Sequence, residues 1–199
     1  MKFKSIFVEV SSIVAGVLIA LAVNEWNENR VKQARVEEAL ENIAHEIARN
    51  TQLLEFIHQR NLEVIAGFEN SAEHAQKNQQ YIPGLQLQKT AWETTLNTGV
   101  SEFIDYKTLY GIAEVYSLQD IYKSLAYQFV QTIMTAKVTG VKRQLDLAKI
   151  DDKELYGDNI AMLVMNEQAI LEQYKDALSM LRKRGVKIKA EQVNVSRAD

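Results

Sequence analysis

The chain has no cysteine and a single proline, Pro83. Without thiols there is no disulfide framework, no thiolate nucleophile and no sulfur ligand for a metal. One proline and eight glycines in 199 residues leave few points at which a helix must stop. The β-branched alternation that strands require is missing too. So is an extended basic stripe: 23 Lys/Arg stand against 26 Asp/Glu, a formal net charge of −3. That balance argues against the positive footprint a nucleic acid needs, and no nucleic-acid partner is expected. No glycine-rich phosphate loop or G-x-S-x-G elbow occurs.

One long apolar run is present, from Ile6 to Val23, interrupted only by Glu9, Ser11, Ser12 and Gly16. As a helix it reaches across a bilayer core of roughly 30 Å at about 1.5 Å per residue. A polar exit follows at Asn24-Glu25-Trp26-Asn27-Glu28. Two other readings compete with a retained membrane anchor. Lys2, Lys4 and the Ala20-Leu21-Ala22 triplet fit a cleaved signal peptide, although Glu9 sits early in its apolar region. A buried core helix of this length would normally show a polar face. The anchor is the reading adopted, with Trp26 as the aromatic residue at the membrane–water interface.

Glu9, Ser12, Gly16, Ala20 and Asn24 recur at i, i+3 and i+4 steps and so share one helix face. Ser12-x3-Gly16-x3-Ala20 is the small-xxx-small spacing that lets two backbones approach closely in lipid. An acid in hydrocarbon requires a protein partner, water or a proton, unless it lies near enough to the surface to be solvated. Helix–helix contact through Glu9, Ser12, Gly16 and Ala20 is therefore expected, with a copy of the chain or another membrane subunit. Lys2 and Lys4 precede the run, and Arg30, Lys32 and Arg35 follow it. The short basic start fits an uncleaved signal anchor, with the bulk of the chain on the extracytoplasmic side.

The strings Glu9…Gly16-Val17-Leu18-Ile19-Ala20-Leu21 and Trp26-Asn27-Glu28-Asn29-Arg30 carry a resemblance. They are similar to the opening of an uncharacterised family of bacterial single-span membrane-anchored proteins, known by a domain-of-unknown-function label. A weaker likeness follows at Ala91-Trp92-Glu93-Thr94-Thr95-Leu96-Asn97-Thr98-Gly99. The resemblance covers the first thirty residues well, extends loosely to Tyr116 and then ends. It implies a single-span anchor bearing a helical domain, and no activity.

Beyond the run the pattern is helical in almost every window. Leu40, Ile43, Ile47, Leu54, Ile57, Ile65 and Phe68 repeat at helical spacing toward Gln76, with no breaker separating them from the anchor. Gln79 to Gly84 reads as a turn. A second helix is predicted over Gln88 to Asn97, closed by Gly99, and a short third from a cap at Asp105 through Tyr116. Ser117 is a candidate cap for a fourth helix carrying Leu118, Tyr122, Leu125, Phe129, Ile133 and Ala136. Asp151 or Asp152 opens the last, with Ile160, Leu163, Ile170, Tyr174, Leu178 and Leu181 on one face and Gly185 at its end. The predicted fold is all-α: an N-terminal transmembrane helix continuous with a long helix, then an antiparallel helical bundle. The divisions are 1–27 for the anchor, 28–185 for the bundle and 186–199 for a polar tail.

Catalytic signals are weak. His45-Glu46 begins a zincin motif, but Arg49 occupies the second histidine position. Glu55 and His58 form one Glu-x-x-His pair of the kind di-iron bundles use twice, and no second pair exists. A salt bridge or core-edge role suits them better than metal. Tyr106, Tyr110, Tyr116, Tyr122 and Tyr127 crowd one region, as core residues or as the lining of a ligand or partner site. No cofactor, metal or enzymatic activity is expected. The expected function is a membrane-anchored interaction or assembly module, with an extracytoplasmic sensor-like bundle as the alternative.

Overall fold

The computed structural model describes residues 2–69, 84–142 and 152–188, and the side chains of residues 2–8, 10, 67–69, 133, 136–142 and 152–158 are not among those described. The elements are α1 (Lys2–Glu69), α2 (Thr90–Asn97), a 3-10 turn (Val100–Phe103), α3 (Tyr106–Lys142) and α4 (Asp152–Lys183). Among the described residues there is no strand. The all-α expectation holds, including the unbroken passage from the N-terminal run into the first bundle helix.

Helix α1 is 68 residues long, about 100 Å at the α-helical rise. Among the described residues nothing packs on its lower part: Ile13, Val14, Val17, Leu18, Ile19, Leu21 and Val23 are all more than half exposed. The core starts at Val36 and continues through Leu40, Ile43, Ile47, Leu54 and Ile57, the stripe read from the sequence. α4 lays Ile160, Leu163, Ile170, Tyr174, Leu178 and Leu181 against it, and α3 contributes Ile112, Val115, Tyr116, Tyr122, Ala126 and Phe129.

Side-chain pairs fix the helix directions. Lys175 of α4 reaches Glu55 and Glu167 reaches Asn61, so α4 runs antiparallel to α1. Tyr174 meets Gln119 and Arg184 meets Thr108, so α4 is antiparallel to α3 as well. Tyr116 meets Glu46 and Gln119 meets Asn50, so α1 and α3 advance together. The segment from Gly84 through the 3-10 turn carries the chain back to make this possible.

The caps follow the local chemistry. Asp105 accepts the Thr108 backbone N–H at 3.0 Å and opens α3 as expected. Gly99 and Gly185 adopt φ of 71° and 91°, conformations that favour glycine. Past α4, Gly185 N donates to Arg182 O and Val186 N to Leu181 O, the paired bonds of a Schellman closure. One expectation is corrected: Ser117 opens no new helix, and α3 is continuous from Tyr106 to Lys142. Nothing between Tyr116 and Leu118 breaks a helix, and Tyr116, Gln119 and Tyr122 must share one buried face. The α1 residues expected beyond Glu69 and the turn before Gly84 lie outside the described residues. Val186 and Ile188 pack against the core, and residues 189–199 are outside those described.

Candidate functional site

Glu9, Ser12, Gly16 and Ala20 are exposed along α1. Ser12 Oγ donates back to Glu9 O at 2.9 Å, which satisfies the hydroxyl within the helix. A Cβ built on Gly16 meets nothing within 4 Å among the described residues. Above it, Trp26 is 64% exposed and the Arg30 guanidinium sits 5.8 Å from its ring centre. Asn24 donates to Glu28 at 2.7 Å. Among the described residues no helix is long and apolar enough to cross a membrane. The run Ile6–Val23 includes Ile6, Phe7, Val8 and Val10, whose side chains lie outside that set.

The bundle interior holds a seam of polar groups on positions that helical register assigns to the core. At its lower end Glu46 is buried between α1, α2 and α3. It accepts the Tyr116 hydroxyl at 2.6 Å and the Ala91 backbone N–H at 2.9 Å. The second bond caps α2 from a different helix and sets a carboxylate at the positive end of its dipole. Trp92 stacks on Tyr116 with ring centres 5.6 Å apart. Burial raises the Tyr116 hydroxyl well above the usual phenol range, and the neighbouring Glu46 adds to this. Tyr116 is therefore a fixed donor and not a proton source.

One turn along, Asn50 clasps the returning segment. Its Nδ2 donates to Gln88 O at 2.7 Å and its Oδ1 accepts Gln88 N–H at 2.9 Å. Gln119 Nε2 donates to the same carbonyl at 3.0 Å, and Gln119 Oε1 accepts the Tyr174 hydroxyl at 2.5 Å. Burial likewise pushes Tyr174 up. Gln88, which precedes α2, thus has both of its backbone groups satisfied by amide side chains of α1 and α3.

The third node surrounds Glu167, which is fully buried. Oε1 accepts Asn61 Nδ2 and the Tyr122 hydroxyl, each at 2.8 Å, and His58 Nδ1 lies 3.2 Å from Oε2. Burial raises the Glu167 carboxyl above its ordinary value, opposed by the hydrogen bonds from Tyr122, Asn61 and His58. The Tyr122 hydroxyl also accepts Gly84 N–H at 3.2 Å. A Cβ on Gly84 would stand 2.6 Å from the Tyr122 ring. Gly84→Ala is therefore expected to destabilise the bundle by roughly 2 kcal/mol, the scale of overpacking, in urea denaturation. An unchanged midpoint would mean that the ring yields.

Glu55 and His58 do not come together on a metal: Glu55 pairs with Lys175 at 3.4 Å, and His58 turns to Glu167. Among the described residues no group of three or more His, Asp or Glu side chains is placed to hold a metal ion. The tyrosines divide. Tyr116 and Tyr122 are core, while Tyr106, Tyr110 and Tyr127 are exposed. An open groove of about 510 Å³ lies beside Trp92, Tyr116, Ser117, Asp120 and Ile121, with Asp120 engaged by Lys89 at 3.0 Å. Sequence reasoning missed the seam. Its signal was available in Glu46, Asn50, Asn61 and Glu167, polar residues at helical intervals from Ile43, Ile47, Ile57 and Leu163.

No protein-family model, curated protein or solved structure matches this chain.

Proposed function

We propose that the chain is a membrane-anchored helical interaction module, self-associating or an accessory subunit of a larger membrane complex, with no catalytic role. The observation that carries this reading is the lower part of α1, apolar on all sides and exposed from Ile13 to Val23. A helix hydrophobic all round requires an apolar surrounding, and lipid supplies it. The family resemblance of the first thirty residues agrees with a single span. The polar seam supports a scaffold: its groups are buried and mutually hydrogen-bonded, an arrangement that specifies one packing and offers no nucleophile.

Association in the membrane runs through Glu9, Ser12, Gly16 and Ala20. Because Gly16 touches nothing among the described residues, a side chain there is expected to disturb what a partner brings. Gly16→Leu is expected to abolish cross-linking between copies, or co-purification of a native subunit, in mild detergent. Leu18→Ala should leave either intact. Equal association in wild type and both variants would remove the assembly role.

The bundle is placed on the extracytoplasmic side of a bacterial cytoplasmic membrane. An impermeant thiol reagent on Glu172→Cys in intact spheroplasts reads the side, and absence of labelling would put the bundle in the cytoplasm. A second reading, a sensor-like bundle that takes a small ligand, draws on the groove beside Trp92 and Tyr116. A ligand-induced rise in melting temperature, lost in Trp92→Ala, would favour it.

A further inference from the structure

An acid in a core needs an opposite charge or a proton, and Glu167 has one neighbour that can supply either. Its side chain is 0% exposed. Among the described residues the titratable groups that touch it are His58 from α1 and Tyr122 from α3. The charged side chains next along those helices turn elsewhere: Glu55 pairs with Lys175, Arg60 with Glu63, and Lys123 donates to Leu87 O. On α4 itself the buried neighbours one turn away are Leu163, Val164, Ile170 and Leu171. Residues 84–88, the segment bonded to Tyr122 through Gly84, carry no titratable side chain.

The carboxylate divides its work between its oxygens. Oε1 is taken by Asn61 and Tyr122, and Oε2 faces His58 Nδ1 at 3.2 Å. Two arrangements leave this pair with no net charge: a carboxylic acid against a neutral ring, or a carboxylate against an imidazolium. Both hold one shared proton. A carboxylate against a neutral ring has one proton fewer and leaves a bare negative charge in the core. His58 is 12% exposed and is the wet edge of the node, so the proton departs to water past it.

Tyr122 carries the state of the pair to the backbone. Its hydroxyl donates to Glu167 Oε1 at 2.8 Å and accepts Gly84 N–H at 3.2 Å. The ring lies so close to Gly84 that a Cβ there would stand 2.6 Å from it. A bare charge on Glu167 is relieved by water entering beside His58, and a carboxylate that turns toward that water gives up its bond from Tyr122. The ring then loses the acceptor that fixes it, and Gly84 loses a fixed support.

We propose that His58 and Glu167 share one proton and form a pH-sensitive catch on the backbone at Gly84, closed while the pair holds the proton and opened when rising pH removes it. The folded pair holds its proton more tightly than the unfolded chain does. Closure is therefore complete at low pH and is lost as pH rises through the value at which the pair gives the proton up. On the extracytoplasmic side proposed above, the bundle would meet the pH of the medium directly.

The test is amide hydrogen exchange of the full chain in nanodiscs, labelled with 15N-glycine and followed between about pH 5 and 9. Eight glycines give few signals; Gly84 reads the catch, and Gly111, inside α3, is the reference. Protection is taken relative to unstructured glycine at the same pH, which removes the intrinsic pH dependence. In the wild type, protection of Gly84 should fall by up to tenfold per pH unit above the transition while that of Gly111 holds. Glu167→Gln cannot titrate and should keep the protection of Gly84 level. His58→Gln still offers an N–H to Oε2 but cannot carry the proton, so its transition should move to lower pH by about one unit, a tenfold difference in protection at a given pH. Coincident curves for His58→Gln and wild type would assign the proton to Glu167 alone and overturn the shared catch. An equal loss at Gly84 and Gly111 would make the effect one of global stability and overturn it too, as would level protection of Gly84 in the wild type.

Discussion

Removal of residues 1–27 is expected to convert a protein that resists carbonate extraction into a folded helical domain in the aqueous fraction. The core begins at Val36, and the exposed apolar residues Ile13 to Val23 contribute nothing to it. Their loss removes membrane retention without opening the bundle. Circular dichroism of a chain starting at Glu28 should show dominant helix and a cooperative melt. Appreciable strand, or a shortened chain still resistant to extraction, would defeat this view of the molecule. An intact mass beginning at Val23 in the native protein would identify the apolar run as a cleaved signal.

The largest effect inside the bundle is expected at Glu167. Glu167→Ala deprives Asn61 and Tyr122 of their shared acceptor, strands His58 and leaves a cavity, at a cost of roughly 3 kcal/mol. Glu167→Gln is the informative companion, since its amide oxygen still accepts from Asn61 and Tyr122 while the group no longer titrates. Burial raises the carboxyl in the folded state, so the folded chain holds this proton more tightly than the unfolded one. Its contribution is present below the ordinary glutamate value of 4.5 and is lost as pH rises through the raised folded value. Melting temperature of the wild type should therefore fall over that window relative to Glu167→Gln. Parallel curves for the two would mean that Glu167 ionises as freely in the fold as out of it.

The apolar stripes were legible in the sequence because burial of large side chains at 3.6-residue spacing leaves a direct trace. Leu40, Ile43, Ile47, Leu54 and Ile57 are all buried as read. The caps at Asp105, Gly99 and Gly185 were legible for a similar reason, each being set by one residue's own chemistry. The division of α3 at Ser117 was misread because a capping residue competes with helix continuation, and tertiary burial of Tyr116 and Tyr122 settles that contest. The polar residues of the seam stood at core register in the sequence, but their pairing was hidden for a different reason. Glu46 and Ala91 are 45 residues apart and Asn61 and Glu167 are 106 apart, and no local pattern announces such partners.

The unbroken course of α1 ties the angular position of its stem to that of its bundle half. At roughly 100° per residue, Gly16 and Ala20 lie about 180° around the axis from Val36, Leu40 and Ile47. Glu38, Arg49, Gln52 and Phe56 fall on the same side as Gly16, and all four are exposed. Two stems meeting along Gly16 would thus stand back to back, each carrying its α3 and α4 on the outside. The contact could then rise along α1 past the membrane without colliding with either core, with Val31 and then Phe56 the exposed large apolar side chains it would meet above the lipid.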